Sequence, residues 1–428
     1  MSKVLLITVG GSVEPLKTSI RTNQPDYIVF ICSQDTATKG SYEMVPILLK
    51  ETDNANLPYE ILLVNPDDPE DCLRKLIPKG EELSSKFGFE NIYADYTGGT
   101  KTMSTSLFWT AVRFRFNLSL TTGIRRDLVI VKEGETTRRV PLSYPYYEEL
   151  LSSLNSLLNK FHYISAEESI RSALANFPFP SQMQEELQRM LDIISSFRLW
   201  DAYDSLSAYE KMKDYKKFFW EKYLSFWEKV IVNRALMEDD FKEELEKRKL
   251  SISLNKKSEQ YAVVQDMILN AERSAVRGRF DDAVARLYRA LEAFAQLRLL
   301  LKYGIKTSDV DIGLVPMDLR EKYERKRRDG KIRLGLMEDY ELLSELGDEV
   351  GRDFEGRRDE LKREIEKRNQ SILAHGFKSI SEGEYREVEG KIVGFMKGNL
   401  RRILGDRYEE PSQLPRSLEE IEGLLGKA

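Results

Sequence analysis

Residues 91–104 of the 428-residue chain read NIYADYTGGTKTMS, an apolar run that leads through two adjacent glycines into a helix-like segment. We predict a strand over Asn91–Tyr96, a loop at Gly98 and Gly99, and a helix over Met103–Phe114. Glycine lets a ligand approach the backbone closely, and the free N–H groups at a helix N-terminus attract phosphate. The stretch therefore predicts an α/β unit with a ligand site where the strand ends.

The same alternation of strand and helix runs through the N-terminal third. Its other predicted strands are short β-branched or aromatic runs, which favours burial on both faces of a parallel sheet. They are Val4–Val9, Tyr27–Cys32, Tyr59–Val64 and Leu118–Thr122. Helices are predicted over Pro15–Ser19, Met44–Glu51 and Pro69–Lys86, and a hairpin joins Leu128–Lys132 to Thr137–Pro141 around Glu133-Gly134-Glu135. We predict a doubly wound, Rossmann-like α/β domain over residues 1–143.

From about Tyr147 onward the pattern changes to helical periodicity, with long stretches rich in Glu, Lys and Arg. We predict a helical connector over residues 144–256 and an all-α domain over residues 257–428. The helices of that domain are predicted over Glu259–Val276, Phe280–Tyr303, Asp339–Val350, Arg357–Ala374 and Glu382–Leu404. Ser381 and Glu384 have the spacing of a capping box before the last of these helices.

An irregular basic loop is predicted over Met317–Arg333. Its cations are Arg320, Lys322, Arg325, Lys326, Arg327, Arg328, Lys331 and Arg333. The loop could guide RNA by contacts with phosphate. The alternative is a solvated, charged surface without a ligand.

Composition excludes several classes of protein. The formal net charge of −5 excludes a globally basic nucleic-acid coat, so any RNA contact must come from local cations or backbone amides. Cys32 and Cys72 are neither a disulfide framework nor a zinc pattern, which suits a reducing cytosol. We expect a cytoplasmic protein without a membrane partner, because no stretch approaches the ~18 apolar residues of a membrane span. His162 and His375 are the only histidines, so no His-rich metal site is expected.

The C-terminal domain contains the sequence RNQSILAH, from Arg368 to His375. On a continuous helix, these two side chains would lie within about 20° of one face but about 10 Å apart along the axis. Two copies related by a two-fold axis would converge more easily, so we predict a composite site in a homodimer. Gly376 could end the helix as its C′ residue.

The chemistry of this motif fits RNA cleavage without a metal, because the 2′-hydroxyl is an internal nucleophile. His375 could accept the 2′-hydroxyl proton or return one to the leaving 5′-oxygen. Arg368 is suited to charge that develops on a phosphoryl group, and Asn369 to a phosphate or to the imidazole. The alternative is an ordinary helix face, on which Arg368 pairs with a glutamate and His375 merely packs.

Three loops at the carboxyl ends of predicted strands are candidates for binding a ligand, as in other open α/β sheets. The candidate residues are Gly10, Gly11, Ser12, Ser33, Gln34, Thr97, Gly98, Gly99, Thr100 and Lys101. Neither G-x-G-x-x-G nor the P-loop signature is present. The alternative is that the glycines only make tight turns.

RNQSILAH resembles the R-x(4–6)-H signature of the HEPN ribonucleases. The resemblance implies an all-α, dimeric domain that cleaves single-stranded RNA without a metal or other cofactor, with Arg368, Asn369 and His375 at the catalytic positions. Arg286, Arg289 and Glu292 on the preceding long helix are further candidates by periodicity alone, and an ordinary solvated face is their alternative.

TVGGSVEPL, FICSQDT and DYTGGTKTMS together resemble a CARF domain, the sensor of cyclic oligoadenylate in the ancillary ribonucleases of type III CRISPR systems. A CARF domain followed by a HEPN domain is the architecture of the Csm/Csx effector family. The resemblance implies an antiviral endoribonuclease that is allosterically activated when a homodimer binds one cyclic oligoadenylate. A non-catalytic sensor that acts through a partner or nucleic acid is the alternative. The ring size of the activator, its degradation by the CARF domain and the RNA base preference are left open.

Overall fold

The computed structural model describes residues 2–33, 40–52, 54, 56–126, 130–212, 221–250, 252–253, 261–374 and 376–425. The chain divides into two compact units, Met1–Glu149 and Leu150–Ala428. The separate connector over residues 144–256 remains a prediction. Within the described ranges, no helix is both long enough and apolar enough to cross a membrane.

The N-terminal unit is built on a six-stranded sheet with the order β3-β2-β1-β4-β5-β6. Its strands are β1 Val4–Thr8, β2 Tyr27–Ser33, β3 Tyr59–Val64, β4 Ile92–Asp95, β5 Asn117–Arg126 and β6 Ile130–Arg139. The first five strands are parallel, and β6 pairs with β5 in the antiparallel direction. The strand order reverses between β1 and β4, which confirms the predicted doubly wound, Rossmann-like sheet.

Helices follow the strands as the chain alternates. They are α1 Val13–Asn23, α2 Val45–Glu51, α3 Pro69–Phe87 and α4 Lys101–Phe114. In α3, the carboxylate of Asp68 accepts hydrogen bonds from two first-turn amides, and Pro69 occupies the first turn. The helix ends before Gly88, whose φ of 79° is a conformation that glycine adopts readily. Both cysteines, Cys32 and Cys72, are buried free thiols.

The predicted position of the hairpin turn is wrong. Residues 133–135 lie inside β6, and the link between β5 and β6 falls on residues 127–129, outside the described residues. Residue pairing from Ser119–Arg139 to Arg126–Ile130 explains the difference, because it continues both strands past the predicted turn. The glycine at 134 signalled a turn that this pairing overrides.

The C-terminal unit is mostly helical, as predicted. Helix α5, Ser143–Asn159, contains the division between the two units. The helices that follow are α6 Tyr163–Asn176, α7 Ser181–Asp201, α8 Ser205–Met212, α9 Glu221–Met237, α10 Asp239–Lys247, α11 Ala262–Val276, α12 Phe280–Tyr303, α13 Met317–Glu324, α14 Leu336–Glu345, α15 Glu349–Gly356, α16 Arg358–Asn369, α17 Glu382–Leu404 and α18 Leu418–Leu425. Helix α12 is central, because it contacts α11, α14, α16 and α17.

Two segments between α12 and α16 differ from the sequence prediction. The helix predicted over Asp339–Val350 is two helices, which separate at Gly347 with a φ of 72°. The predicted basic loop contains α13 and a hairpin of two short strands, β7 Arg327–Arg328 and β8 Lys331–Ile332. Asp329 and Gly330 both have positive φ at its turn, as the favoured two-residue hairpin requires.

Aromatic side chains fill the core of the C-terminal unit. The rings of Tyr340 and Phe354 stack with centroids 3.9 Å apart, and Phe395 meets both edge-on. Trp200 and Trp227 stack at 4.0 Å, and both are buried. These two tryptophans are therefore core residues of the helical unit.

The close approach of α15 to the end of α14 gives a stability prediction. A Cβ at Gly351 would lie 2.2 Å from the amide nitrogen of Ser344, whereas a Cβ at Gly356 on the same helix would meet nothing within 4 Å. We expect Gly351→Ala to lower the free energy of unfolding by about 1–3 kcal/mol, because backbone must move. The control Gly356→Ala should change it by less than about 0.5 kcal/mol. Urea unfolding measures both, and equal effects would contradict the close contact.

Candidate functional site

The guanidinium of Arg368 lies over the ring of Tyr288. The guanidinium carbon is 4.5 Å from the ring centroid. One terminal nitrogen donates a hydrogen bond of 3.2 Å to the Asn369 side-chain oxygen, and the buried Nε has no hydrogen-bond partner in the described part of the chain. A cation over an aromatic ring is stabilised by roughly 0.5–2 kcal/mol. The contact fixes the cation while donor capacity remains for an anion.

Arg368 also differs from its neighbours in how its charge is balanced. Among the described residues it forms no ion pair, although Lys367 beside it pairs with Glu364 at 2.7 Å and Glu387 at 2.6 Å. Together with the ring contact and the unpartnered Nε, this leaves the Arg368 guanidinium able to bind an anion.

Helix α16 ends at Asn369, so the prediction of one helix from Arg357 to Ala374 is wrong. In a continuing helix the amide of Ala374 would bond to the carbonyl of Gln370, but it donates to Ser371 at 3.0 Å. The Gln370 carbonyl instead accepts from the amide of Lys378 at 3.3 Å. The argument that placed Arg368 and His375 on one helical face therefore fails, and so does the prediction of Gly376 as the C′ residue. His375 itself lies outside the described residues.

We call residues 370–378 the motif loop. Its two ends are anchored, because Ser371 is buried and bridges to Lys378, and the nearby Ile380 amide donates to the carboxylate of Asp281 at 3.2 Å. A Cβ at Gly376 would lie 1.8 Å from the Gln370 oxygen, so only glycine fits there. The ends of the loop are therefore tightly defined.

The middle of the motif loop presents apolar side chains to solvent. Ile372 is 62% exposed, Leu373 47% and Phe377 96%. Three large apolar side chains exposed within six residues are unusual on an isolated protein surface. They mark this loop as a surface that a partner could cover.

A buried acid, Asp339 on α14, lies near the Arg368 site. The side chain is fully buried, and neither carboxylate oxygen has a hydrogen-bond partner among the described residues. Burial, to which the charges of the nearby Glu292 and Glu338 add and which that of Arg289 opposes, raises the pKa of Asp339 to about 9. Asp339 is therefore a neutral acid at physiological pH.

The Tyr288 hydroxyl lies within electrostatic range of both Arg368 and Asp339. Burial raises its pKa, Glu292 adds to the effect, and the cations Arg368 and Arg289 oppose it. Sequence reasoning missed both Tyr288 and Asp339. For Asp339 a signal was present, since an acid between Leu336 and Tyr340 occupies an apolar stripe of its helix.

The other candidates on α12 divide between two environments. Arg289 pairs with Glu292 at 3.0 Å, and both belong to the surroundings of Tyr288. Arg286 donates instead to the side chain of Asn270, which donates to the carboxylate of Asp201 at 3.1 Å. Arg286 therefore belongs to a buried polar network between helices, whose other cations are Arg273 and Arg277.

In the N-terminal unit, the loops after β1 and β4 touch each other. The hydroxyl of Thr8 donates to the Gly98 carbonyl at 2.7 Å, and a Cβ at Gly10 would lie 2.5 Å from the amide nitrogen of Gly99. Gly99 has a φ of 81°. The glycines are thus required by the contact between two loops at the switch point, where open sheets bind ligands.

Asp95, at the end of β4, is a buried residue that holds these loops in place through hydrogen bonds. Its fully buried carboxylate accepts hydrogen bonds from Ser19 at 2.7 Å, Ser119 at 3.0 Å and the amide of Thr97 at 3.0 Å. The Thr97 hydroxyl accepts from the amide of Thr121 at 2.7 Å. Sequence reasoning included Asp95 in the motif but did not foresee that it holds the loop.

Some of the remaining predicted ligand residues use their polar groups in hydrogen bonds within the protein, and others leave those groups accessible to a ligand. The Thr100 hydroxyl caps α4 and donates to the Pro66 carbonyl, and Ser33 exchanges hydrogen bonds with Ser41. Ser12 makes no capping hydrogen bond at α1, and Lys101 is exposed in the first turn of α4 with no ion pair in the described residues. Groups available to an anion are therefore Ser12, Lys101 and the exposed backbone of Gly11. Gln34 lies outside the described residues.

A comparison with known families finds a match within the C-terminal unit. The family model described as Csm6 HEPN domain matches residues 253–399. The solved structure of Enterococcus italicus Csm6 bound to cyclic hexa-2′-fluoro-hexa-dAMP aligns with a TM-score of 0.61 and 12% sequence identity, and it covers 99% of this chain and 98% of that one. The whole chain therefore has a fold similar to that of Csm6.

Two other comparisons give no further information on the fold. Can2 from Sulfobacillus thermosulfidooxidans, solved in complex with cyclic tetra-adenylate, aligns over 45% of this chain and 58% of its own with 11% identity. Its TM-score of 0.24 is too low to compare folds. A search of curated protein sequences finds no match.

The buried carboxyl of Asp339 predicts a pH-dependent stability. Because its folded pKa is raised to about 9, the wild-type protein loses stability as pH rises from about 4, the unfolded pKa, towards 9. The variant Asp339→Asn lacks this proton, so its stability relative to wild type should rise by up to about 1 kcal/mol per pH unit between pH 5 and 8.

Urea unfolding at about pH 5 and about pH 8 measures the stability of Asp339→Asn relative to wild type. The control Asp309→Asn changes an exposed carboxyl and should show a much smaller dependence on pH. A pH-independent difference between Asp339→Asn and wild type would show that Asp339 is charged in the folded protein.

Proposed function

We propose that the chain is an ancillary ribonuclease of type III CRISPR systems with the CARF–HEPN architecture, and that cyclic oligoadenylate activates its endoribonuclease. Its substrate is single-stranded RNA, and its reaction is transfer of the scissile phosphate to the neighbouring 2′-hydroxyl without a metal. We assign this reaction to Arg368, Asn369 and His375.

The main support for this proposal is the set of contacts that the Arg368 side chain makes. Its guanidinium is held on Tyr288 without an ion pair in the described part of the chain, and one buried donor remains unused. A fixed cation with free donors stabilises charge that develops on a phosphoryl oxygen in the transition state. Asn369 beside it orients the guanidinium and adds an amide for the phosphate.

The proton transfers are assigned to His375. An imidazole changes its protonation near neutral pH, so it can accept the 2′-hydroxyl proton or protonate the leaving 5′-oxygen. Two copies of the chain would supply two such groups to one cleft. The exposed Ile372, Leu373 and Phe377 support a homodimer formed through the motif loop, since the association would bury them.

The activator is assigned to the switch point of the N-terminal sheet. Gly11, Ser12 and Lys101 offer backbone amides, a hydroxyl and a cation to the phosphates of a cyclic oligonucleotide. The Enterococcus italicus protein of similar fold was solved with such a ring. Activation then requires that the ligand binds the active state more tightly than the inactive one.

The first test is cleavage of a fluorogenic single-stranded RNA in EDTA, with and without cyclic tetra- and hexa-adenylate. We expect stimulation by one ring size and a loss of kcat of about 100-fold or more in Arg368→Ala and in His375→Ala, because each removes stabilisation or proton transfer. The control Arg363→Ala alters an exposed arginine of the same helix and should retain the wild-type rate.

Equal rates for Arg368→Ala and Arg363→Ala would refute the assigned site. Binding of cyclic adenylate without any RNA cleavage would instead support a non-catalytic sensor.

The second test uses the adjacent glycines of the first loop. Gly10→Ala must push the two loops apart, whereas Gly11→Ala meets nothing within 4 Å in the free protein. We expect Gly11→Ala to keep the wild-type melting temperature but to weaken cyclic oligoadenylate binding about tenfold, ~1.4 kcal/mol, because its methyl group faces the ligand. Gly10→Ala should lower both stability and affinity.

Calorimetric titration and thermal unfolding separate the two effects. Wild-type affinity in Gly11→Ala would mean that the ligand does not approach this loop.

A further inference from the structure

A cavity of about 310 Å³ opens in the C-terminal unit beside the β7–β8 hairpin. Its wall includes three cationic side chains, from α12, from the segment after α12 and from the end of the hairpin. They are Arg289, Lys306 and Arg333. Apolar and amide groups line the same space, among them Met237, Gln296 and Leu300. The carboxylate of Glu238 also lines it, and Lys306 and Arg289 pair with Asp239 and Glu292. Arg333 is therefore the one of these three cations that makes no ion pair among the described residues.

The hairpin at the mouth of the cavity has an unusual charge arrangement. Most cations around it are neutralised, since Lys322, Arg325, Lys326 and Arg327 all pair with glutamates. In the described part of the chain, Arg328, Lys331 and Arg333 have neither an ion pair nor a side-chain hydrogen bond. All three are exposed. The cations without an ion-pair contact therefore lie together on the hairpin, where Asp239 and Glu338 are within electrostatic range of Lys331 and Arg328.

Two of these cations face each other. Arg328 and Lys331 are direct partners in the register of β7 and β8. Like charges directly opposite on an antiparallel pair destabilise it. A hairpin that carries this repulsion without an acidic neighbour in ion-pair contact is suited to bind an anion, which would relieve the repulsion.

The cavity also borders the Arg368 site. Arg289 lines the cavity and follows Tyr288, the residue whose ring carries the Arg368 guanidinium. Arg289 and Arg368 both act on the pKa of the Tyr288 hydroxyl, so the two cations lie in one electrostatic neighbourhood. A strand of nucleic acid at Arg368 could thus continue into the cavity.

We propose that this cavity and hairpin form a subsite for a nucleotide that flanks the cleaved phosphate of single-stranded RNA. The inference rests on the proposed ribonuclease function. The base lies against Leu300 and Met237, within reach of the Gln296 amide, and Arg333, Lys331 and Arg328 bind consecutive phosphates. Phosphate contacts position the RNA, whereas contacts with the base select its identity.

Binding of RNA can be tested separately from its cleavage. A short fluorescent RNA with 2′-fluoro groups has no nucleophilic hydroxyl, so the full-length wild-type chain binds it without turnover. Fluorescence anisotropy at several salt concentrations then compares Arg333→Gln and Lys331→Gln with the matched control Arg325→Gln. Arg325 is an equally exposed cation of the same region that pairs with Glu321.

We expect Arg333→Gln and Lys331→Gln each to weaken binding about tenfold and to lower the salt slope by about 0.7, the value for one phosphate contact on a single strand. The loss should be similar for all RNA sequences, because phosphates carry no base identity. The control should retain wild-type affinity. Affinities of the two hairpin variants equal to that of Arg325→Gln would overturn the subsite.

Cleavage of unmodified RNA by the wild-type chain separates the two proposals. If the wild type cleaves and the hairpin variants bind normally, the subsite is wrong and the ribonuclease stands. Hairpin-dependent binding without any cleavage supports the subsite and refutes the ribonuclease.

Discussion

The contact between the Arg368 guanidinium and the Tyr288 ring is the interaction on which the candidate catalytic site depends. It joins two helices, α16 and the central α12, and it fixes a cation in a half-buried position without neutralising it. An ion pair at the same place would have stabilised the helix but occupied the donors that a phosphate needs. The aromatic ring attracts the guanidinium without using those donors. The contact can therefore stabilise the position of Arg368 and still leave its N–H groups to bind a phosphate.

Much of the fold followed from the sequence, because its signals are local. Short β-branched runs, the glycine pair at Gly98 and Gly99, and the alternation with helices predicted the doubly wound sheet and the position of its ligand edge. The hairpin turn was placed wrongly at residues 133–135, because pairing with β5 extends β6 through it. The Asp329-Gly330 turn was present in the sequence, but the surrounding run of cations read as a loop.

The candidate site was predictable only in part. Arg368 and Asn369 stood out as a motif, yet the end of α16 depends on the Gln370 carbonyl, which bonds to the returning Lys378 amide. Periodicity cannot detect that bond, because it joins residues that the helical pattern keeps apart. Tyr288 and Asp339 come from two other helices, and only the packing of α12 against α14 and α16 makes them neighbours of Arg368.

The two buried thiols have a practical consequence for studying this protein. Burial raises the pKa of Cys32 to about 12 and also raises that of Cys72, so neither forms the reactive thiolate readily. Alkylating dyes and spin labels should therefore leave the native sulfur atoms unmodified. One cysteine introduced at an exposed position outside the motif loop, such as that of Ile164 on α6, would give a single reporter on an otherwise natural background.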